Sequence, residues 1–260
     1  DVSYSAGVAR VGNNMGVAAA SLYGDGLIDL YTTDITDPTL DYGTTQGNAL
    51  FIARRASDGS VVYSDQASLR GVRDSGWGWG AAFVDMRLDG RLDLFAAQGF
   101  REMIGLDNPL YYGRSHLFLN DASNHFTDTR GTGCDVLGDQ RAVIPFDFNR
   151  DGSPDLLVTQ VDAPVQLLEN QTRGRHWLTV DLSHAGPEAA GAEISVTVAG
   201  RTTTQLVLLG GSYLAGPPLE AYFGLGESTT ADSVSVRWAN GGESVLRDVS
   251  GDQVLKVSRQ

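Results

Sequence analysis

The chain has 260 residues, a formal net charge of −13 and 42% hydrophobic residues, with 32 glycines and 8 prolines. That length suits one large domain or two ordinary ones, and the glycine content suits a turn-rich β protein. The acidic balance argues against a nucleic-acid surface or docking on anionic lipid, both of which select basic patches, and no apolar run approaches the roughly 18 residues of a membrane span.

The acid is concentrated in the first two thirds: residues 1–170 carry −11 and residues 171–260 carry −2. Within this acidic region a single pattern occurs three times. Residues 21–29 read Ser-Leu-Tyr-Gly-Asp-Gly-Leu-Ile-Asp, residues 85–93 read Asp-Met-Arg-Leu-Asp-Gly-Arg-Leu-Asp, and residues 147–155 read Asp-Phe-Asn-Arg-Asp-Gly-Ser-Pro-Asp. The closing aspartates Asp29, Asp93 and Asp155 are 64 and 62 residues apart, a period that marks a repeat architecture. Each copy is preceded by a strand-like run, at 16–19, 80–83 and 142–144. Each is followed by two more, at 30–33 and 49–52, 94–97 and 116–119, and 156–159 and 166–168. Turns at Asp58-Gly59-Ser60 and Ala122-Ser123-Asn124 lead the first two units into a further strand. Short strands separated by turn residues, about four per unit, describe propeller blades.

The third copy places oxygen side chains at alternate positions. A hard cation such as Ca2+ takes six to eight oxygens at about 2.3–2.6 Å, and a short loop supplies them by alternating ligands with spacers around a sharply turning glycine. The ligand set predicted for Ca2+ is Asp147, Asn149, Asp151, Ser153 and Asp155, with Gly152 at the turn. An EF-hand loop would close on a glutamate at its twelfth position, where Val158 stands, so the loop is expected to join two strands. In the second copy Arg87 occupies a ligand position, and its guanidinium is expected to replace the metal as a counter-charge for Asp85, Asp89 and Asp93. The first copy has Ser21 and Tyr23 at two ligand positions, so metal is not expected at Asp25 and Asp29. Asp and Gly in a tight turn can also satisfy the backbone without any metal, which is the competing explanation for all three loops.

The pattern changes near residue 171. A polar linker, Thr172-Arg173-Gly174-Arg175, is followed by strand-like alternation at 177–182, 192–198, 204–209, 233–238 and 254–257, separated by glycine-rich turns. No helical period is present. The fold class expected is all-β: residues 1–170 as an incomplete set of integrin-like β-propeller blades, residues 171–260 as a small antiparallel β-sandwich.

Together these residues resemble a known combination. Segments such as Gly78-Trp79-Gly80-Ala81-Ala82-Phe83-Val84-Asp85 and Asp89-Gly90-Arg91-Leu92-Asp93-Leu94-Phe95 are similar to FG-GAP (VCBS-type) repeats. The tail, through His176-Trp177-Leu178, Gly191-Ala192, Gly211-Ser212-Tyr213-Leu214, Tyr222-Phe223-Gly224-Leu225-Gly226 and Val236-Arg237-Trp238, resembles the ASPIC/UnbV domain. The resemblance implies a family that includes acidic secreted cartilage proteins and bacterial relatives, some from enediyne clusters. A full propeller of that family has about seven blades, so three units imply exposed strand edges and blades supplied from elsewhere. The tail departs from the family in having Pro187-Glu188-Ala189-Ala190 before Gly191.

No catalytic constellation is present. His116, His125, His176 and His184 lack zinc-type spacing, and there is no nucleophile elbow, phosphate loop or dinucleotide fingerprint. Trp77 and Trp79 are expected to pack between blades rather than face a ligand. Cys134 is the single cysteine, so no internal disulfide forms; it is expected as a buried inert thiol, an interchain link being the alternative. Asn170-Gln171-Thr172 is a glycosylation sequon, meaningful only in a eukaryotic secretory route. No signal peptide stands at Asp1, as expected of a mature chain or a fragment. The function expected is a secreted, extracellular or periplasmic module in which Ca2+ is structural and which binds a protein or ligand. Two alternatives are an enzyme or accessory protein acting on a small molecule, and a subunit whose propeller a second chain completes.

Overall fold

The computed structural model describes residues 1–36, 47–99 and 113–259. It is all-β with several sheets, and its helices are single turns at Ser3–Ala6 (α1) and Ala67–Arg70 (α2), plus one 3₁₀ turn at Pro187–Ala189. No helix among the described residues is long and apolar enough to cross a membrane.

The described residues among the first 170 form three antiparallel meanders. Unit one is β1 (Val17–Ser21), β2 (Asp29–Thr32), β3 (Ala49–Arg55) and β4 (Val61–Asp65); unit two is β5 (Gly78–Val84), β6 (Asp93–Gln98), β7 (His116–Asn120) and β8 (Phe126–Thr129). Unit three has three strands, β9 (Gln140–Phe146), β10 (Asp155–Gln160) and β11 (Gln166–Leu168). Each nine-residue loop joins the first and second strands of its unit. Strands β6 and β7 are buried on nearly every residue, because unit two is covered on both faces. One apolar cluster, including Tyr31, Leu50, Ile52, Leu94 and Phe118, fills the space between units one and two. Another, including Val84, Phe95, Leu117, Leu156 and Val158, fills the space between units two and three. The first strands β1, β5 and β9 lie side by side.

The tail has its own core of Leu178, Val180, Ile194, Val196, Phe223, Val234, Val236 and Trp238 among others. It lies between two sheets. One is β12 (His176–Asp181) flanked by β15 (Glu220–Gly226) and β18 (Gln253–Lys256); the other contains β13 (Glu193–Val198), β14 (Arg201–Leu206), β16 (Thr230–Arg237) and β17 (Glu243–Ser250). The β12–β18 pair is parallel, a departure from the all-antiparallel expectation that the long separation of the two strands in sequence permits. Two of these strands, β15 and β17, are not among the tail runs singled out by alternation.

One of the edges expected to be open, that of the first strand of unit one, is paired within the chain. Strand β14 runs antiparallel to β1, with Ala20 opposite Gln205 and Ser21 opposite Thr204, so the first meander and half of the tail form one eight-stranded sheet. Beyond β14 the chain also touches the first strands of units one and three. Ser212 exchanges backbone hydrogen bonds with Val17 at 3.0 and 3.1 Å, and its Oγ accepts the Val143 N–H of β9 at 3.1 Å.

Candidate functional site

The three loops share one hydrogen-bond frame, set by the closing aspartate. Asp29 accepts the N–H groups of Leu22 and Ala53 at 3.0 and 2.8 Å. Asp93 accepts those of Met86 and Asn120 at 3.2 and 2.8 Å, and Asp155 those of Phe148 and Asn170 at 3.0 and 2.7 Å. In each case one oxygen holds the second residue of the loop and the other holds a residue close to the unit's third strand. All three side chains are buried. Burial raises the pKa of Asp29 and of Asp93 to about 6. It also raises that of Asp155, where the charges of Asp147 and Asp151 add to the effect against two stabilising backbone bonds.

Loops two and three match in their opening half as well. Asp85 accepts the N–H groups of Asp89 and Gly90 at 3.1 and 2.6 Å, and Asp147 those of Asp151 and Gly152 at 3.1 and 2.8 Å. The fourth and sixth residues have positive φ in both: Leu88 at 52° and Gly90 at 78°, Arg150 at 60° and Gly152 at 89°. Glycine at the sixth position removes the strain that a Cβ would bring there.

In loop three, Asn149 Oδ1 and Asp147 Oδ1 both accept the Asp151 N–H at 3.1 Å. Asp151 Oδ1 accepts the Ser153 N–H at 2.9 Å, and Asp151 Oδ2 pairs with Arg173 at 3.0 Å. The Ser153 hydroxyl donates to Thr172 O at 3.2 Å. Among the described residues no three His, Cys, Asp or Glu side chains are grouped as metal ligands. The donor chemistry nevertheless suits a hard cation: three carboxylates, an amide oxygen and a hydroxyl lie in one loop, the oxygens of Asp147 and Asp155 each have a second lone pair beyond their N–H bond, and the carboxylates repel one another, although Asp151 Oδ2 already accepts from Asn149 Nδ2 at 3.1 Å and from Arg173 at 3.0 Å. Asp147, Asn149, Asp151, Ser153 and Asp155 are the residues that would hold it.

In loop two, Arg87 pairs with Asp93 at 2.9 Å and lies 3.6 Å from Asp89; it also donates to Asn120 O. Asp85 instead faces three N–H groups, the third being that of Gly224 at 3.2 Å. Burial, then the charges of Asp89 and Asp93, raise its pKa to about 7. In loop one, Asp25 accepts the Leu27 N–H at 3.0 Å, and Tyr23 accepts a bond from Arg70 at 2.6 Å.

The loops form the surface on which the tail sits, which sequence reading missed. Gly24 of loop one lies against the Thr202 carbonyl. Gly90 O of loop two accepts from the Thr203 hydroxyl at 2.8 Å and from Arg201, and Gly226 N–H donates to Leu88 O at 2.9 Å. In loop three, Gly152 lies against the Trp177 ring, and Arg150 makes a bidentate pair with Glu220 at 3.0–3.1 Å. Most of these partners lie far away in sequence, so no local spacing announces them.

The remaining candidates are structural in their surroundings. Trp79 lies between units, its ring under the Arg141 guanidinium at 4.0 Å and edge-on to Tyr213 at 4.9 Å. His116 pairs with Asp128 at 3.1 Å and stacks on Phe118, and His176 pairs with Asp252 at 2.7 Å. Cys134 is a free thiol against the core between units two and three, where burial raises its pKa. Asn170 is 6% exposed, and its Nδ2 donates to Met86 O at 3.0 Å, so the nitrogen that a glycan would occupy is enclosed in the fold.

No curated protein matches the chain in sequence. Among solved structures, the chain described as "Ca2+-stabilized adhesin helps an Antarctic bacterium reach out and bind ice" is similar at 12% identity over 94% of this chain, with a TM-score of 0.14. The match spans 66% of that chain's length, and at this score it supports no conclusion about fold or function. Residues 183–260, which begin just after β12 and run through β18, match the family model described as ASPIC and UnbV, and this segment of the chain is an ASPIC/UnbV domain.

Proposed function

We propose that residues 1–170 are FG-GAP-type β-propeller blades and that the protein is a secreted binding or assembly module in which Ca2+ in the third loop fixes the blade against the ASPIC/UnbV domain. The observation that carries this reading is the shared loop frame: three loops with the same backbone bonds to the closing aspartate, of which only the third keeps oxygen donors at every ligand position. Ca2+ there is a structural cation. Arg87 supplies the positive charge in loop two, and loop one carries fewer acids and makes do with hydroxyls.

An assembly role has separate support. Ile144, Leu157 and Leu167 stand in register across unit three. Val143, Leu156 and Val158 face unit two, so alternation points the first three the other way, and Leu167 is exposed. A further blade would cover this row.

The test is thermal melting in excess calcium and in chelator. A metal bound only by the folded state adds stability by mass action, about 2.7 kcal/mol at a hundredfold excess over Kd. Melting at a higher temperature in calcium, with Asp151→Ala melting alike in both buffers, supports the reading. An unchanged midpoint for the unmutated protein sinks it.

A further inference from the structure

Unit three has one strand fewer than its neighbours. Units one and two each end in a fourth strand, β4 and β8, whereas among the described residues no strand pairs with the outer edge of β11. The strand that follows in sequence is diverted. Phe126 of β8 stands six residues beyond Asn120, and His176 of β12 stands six beyond Asn170, but β12 pairs with β15 and β18 in the tail. The bare edge carries hydrogen-bonding groups. Asn170 turns its N–H inward to Asp155. Successive residues of a strand point their backbone groups to opposite sides, so Leu167 and Glu169 turn theirs toward the open edge.

A groove runs along this edge, between β11 and strand β7 of unit two, with Leu117, Leu119, Cys134 and Leu168 in its walls. The same place between units one and two is filled. There Phe126 of β8 packs in one cluster with Leu50, Ile52, Val72 and Phe118. The residues that donate to the closing aspartates, Ala53, Asn120 and Asn170, set the correspondence. Leu50 and Ile52 stand three and one residues before Ala53, as Leu117 and Leu119 stand before Asn120. Phe118 stands two before Asn120, as Leu168 stands before Asn170. The groove thus has the walls that hold Phe126 in unit two and no ring between them. Gln166 Oε1 is also buried without a hydrogen-bond partner, which is rare for a buried polar atom. Its counterpart in unit two, His116, meets Asp128 of β8 at 3.1 Å.

We propose that an extended segment of another protein adds to β11 as the fourth strand of unit three, with a large aromatic residue opposite Asn170 and its ring in the groove. Strand addition to a free sheet edge draws affinity from backbone bonds and specificity from pockets for alternate side chains. The two fourth strands of this chain give the pattern. Tyr63-Ser64-Asp65 stands opposite Ala53, Ile52 and Phe51, and Phe126-Thr127-Asp128 stands opposite Asn120, Leu119 and Phe118. The incoming segment accordingly reads aromatic, hydroxyl, acid. Its acid falls near the Gln166 amide, which has donors as well as an acceptor. A second copy of this chain does not supply the segment, because the triplet occurs only at 63–65 and 126–128, and both are held in β4 and β8. The inference deepens the assembly reading above and rests on it for the partner, but not on metal in the third loop.

The experiment is an amide chemical-shift titration of the whole chain, in calcium and in chelator, with a synthetic peptide of the β8 sequence Asn-His-Phe-Thr-Asp-Thr-Arg as probe. Saturable shifts confined to residues near 117–119, 132–134 and 166–172 support the proposal, whichever buffer shows them, provided that a peptide with alanine in place of the phenylalanine binds at least tenfold more weakly. Glu169→Pro then removes an outward N–H, a change that edge strands accept, and Cys134→Trp fills the groove; should one variant fail to fold, the other stands. Loss of peptide affinity by tenfold or more in a folded variant supports the site. Non-saturating shifts, equal binding of the alanine peptide, or undiminished binding in the folded variants overturns it. A dimer of the chain in sedimentation that the peptide does not dissociate overturns it as well. Melting in calcium and in chelator tests the metal separately, and a further blade would meet Leu157 on the opposite face of unit three, so failure at this edge leaves both of those readings standing.

Discussion

Val143 and Ser212 are joined by a hydrogen bond from the Val143 N–H to the Ser212 Oγ at 3.1 Å, and it links the first strand of the third unit to a loop of the tail. The same serine pairs through its backbone with Val17 of the first unit. One tail residue thus bridges two strand edges that an incomplete ring would leave bare. Ser212→Ala removes the side-chain acceptor and leaves the Val143 amide, on a buried residue, without it. The expected loss is about 1–3 kcal/mol, the cost of an unsatisfied buried donor, measured by chemical denaturation. A loss below about 0.3 kcal/mol, well under that range, would mean that water replaces the hydroxyl.

Gly152 joins loop and tail more tightly. Its φ of 89° is one that side chains rarely adopt, and a Cβ there would enter the space of the Trp177 ring. Gly152→Ala combines backbone strain, about 1–3 kcal/mol, with displacement of Trp177. The expected outcome is a lower melting temperature together with a changed tryptophan emission. Gly59→Ala is the control: Gly59 also has positive φ, at 84°, but nothing lies within 4 Å of its Cβ position. Equal losses in the two variants would show that strain alone acts at Gly152.

The repeat was legible because its signal is local. Apolar runs flanking each acidic loop recur at a fixed spacing, and eleven strands stand at those runs or after the turns that follow them. The tail strands with strict alternation, such as Glu193–Val198, were legible for the same reason. Strand β17, Glu243–Ser250, was not: Val249 is its one buried residue, so it is a nearly solvated edge strand with little apolar contrast between its faces. The pairing of β14 with β1 and the seating of Gly152 on Trp177 are long-range contacts between surfaces that look ordinary in sequence. In loop three, the alternate oxygen side chains proposed as ligands are visible in the spacing. That the closing aspartates hold two backbone N–H groups each is not, since the second donor lies 15 to 27 residues further on.

Asp85 gives the protein a pH dependence of definite sign. Its pKa is raised from 3.8 to about 7 in the folded state, by burial first and then by Asp89 and Asp93. The folded protein therefore binds this proton more tightly than the unfolded chain. The resulting stability is fully present below about pH 4 and is lost as pH rises through about 7. At about 1.4 kcal/mol per pH unit, a loss of a few kcal/mol between those limits is expected from denaturation curves measured in chelator. Asp29 and Asp93, raised to about 6, act in the same direction over a lower window. Asp85→Asn should make the curve shallower, most visibly between about pH 6 and 7, where Asp85 holds more of its proton than Asp29 or Asp93. Stability that rises across this range in the unmutated protein would contradict the assignment.

Arg87 and Asn149 occupy the same position in two loops of matching backbone, and the proposed function makes their exchange decisive. Arg87→Asn turns loop two into Asp-Met-Asn-Leu-Asp-Gly-Arg-Leu-Asp, with oxygens where loop three has them at the first, third, fifth and ninth positions. In chelator the variant loses the 2.9 Å pair with Asp93, leaving a buried carboxylate without its counter-charge. Removing one partner of a buried pair costs about 3–5 kcal/mol; with Arg87 partly exposed, the expected loss is about 1–3 kcal/mol, nearer the cost of an unmade charged hydrogen bond. Calcium should restore most of it, and calorimetric titration should find two bound ions per chain where the unmutated protein binds one. A variant that is destabilised in both buffers and still binds one ion would show that the loop frame alone does not make a calcium site, and that Arg91 or the tail against loop two keeps the cation out.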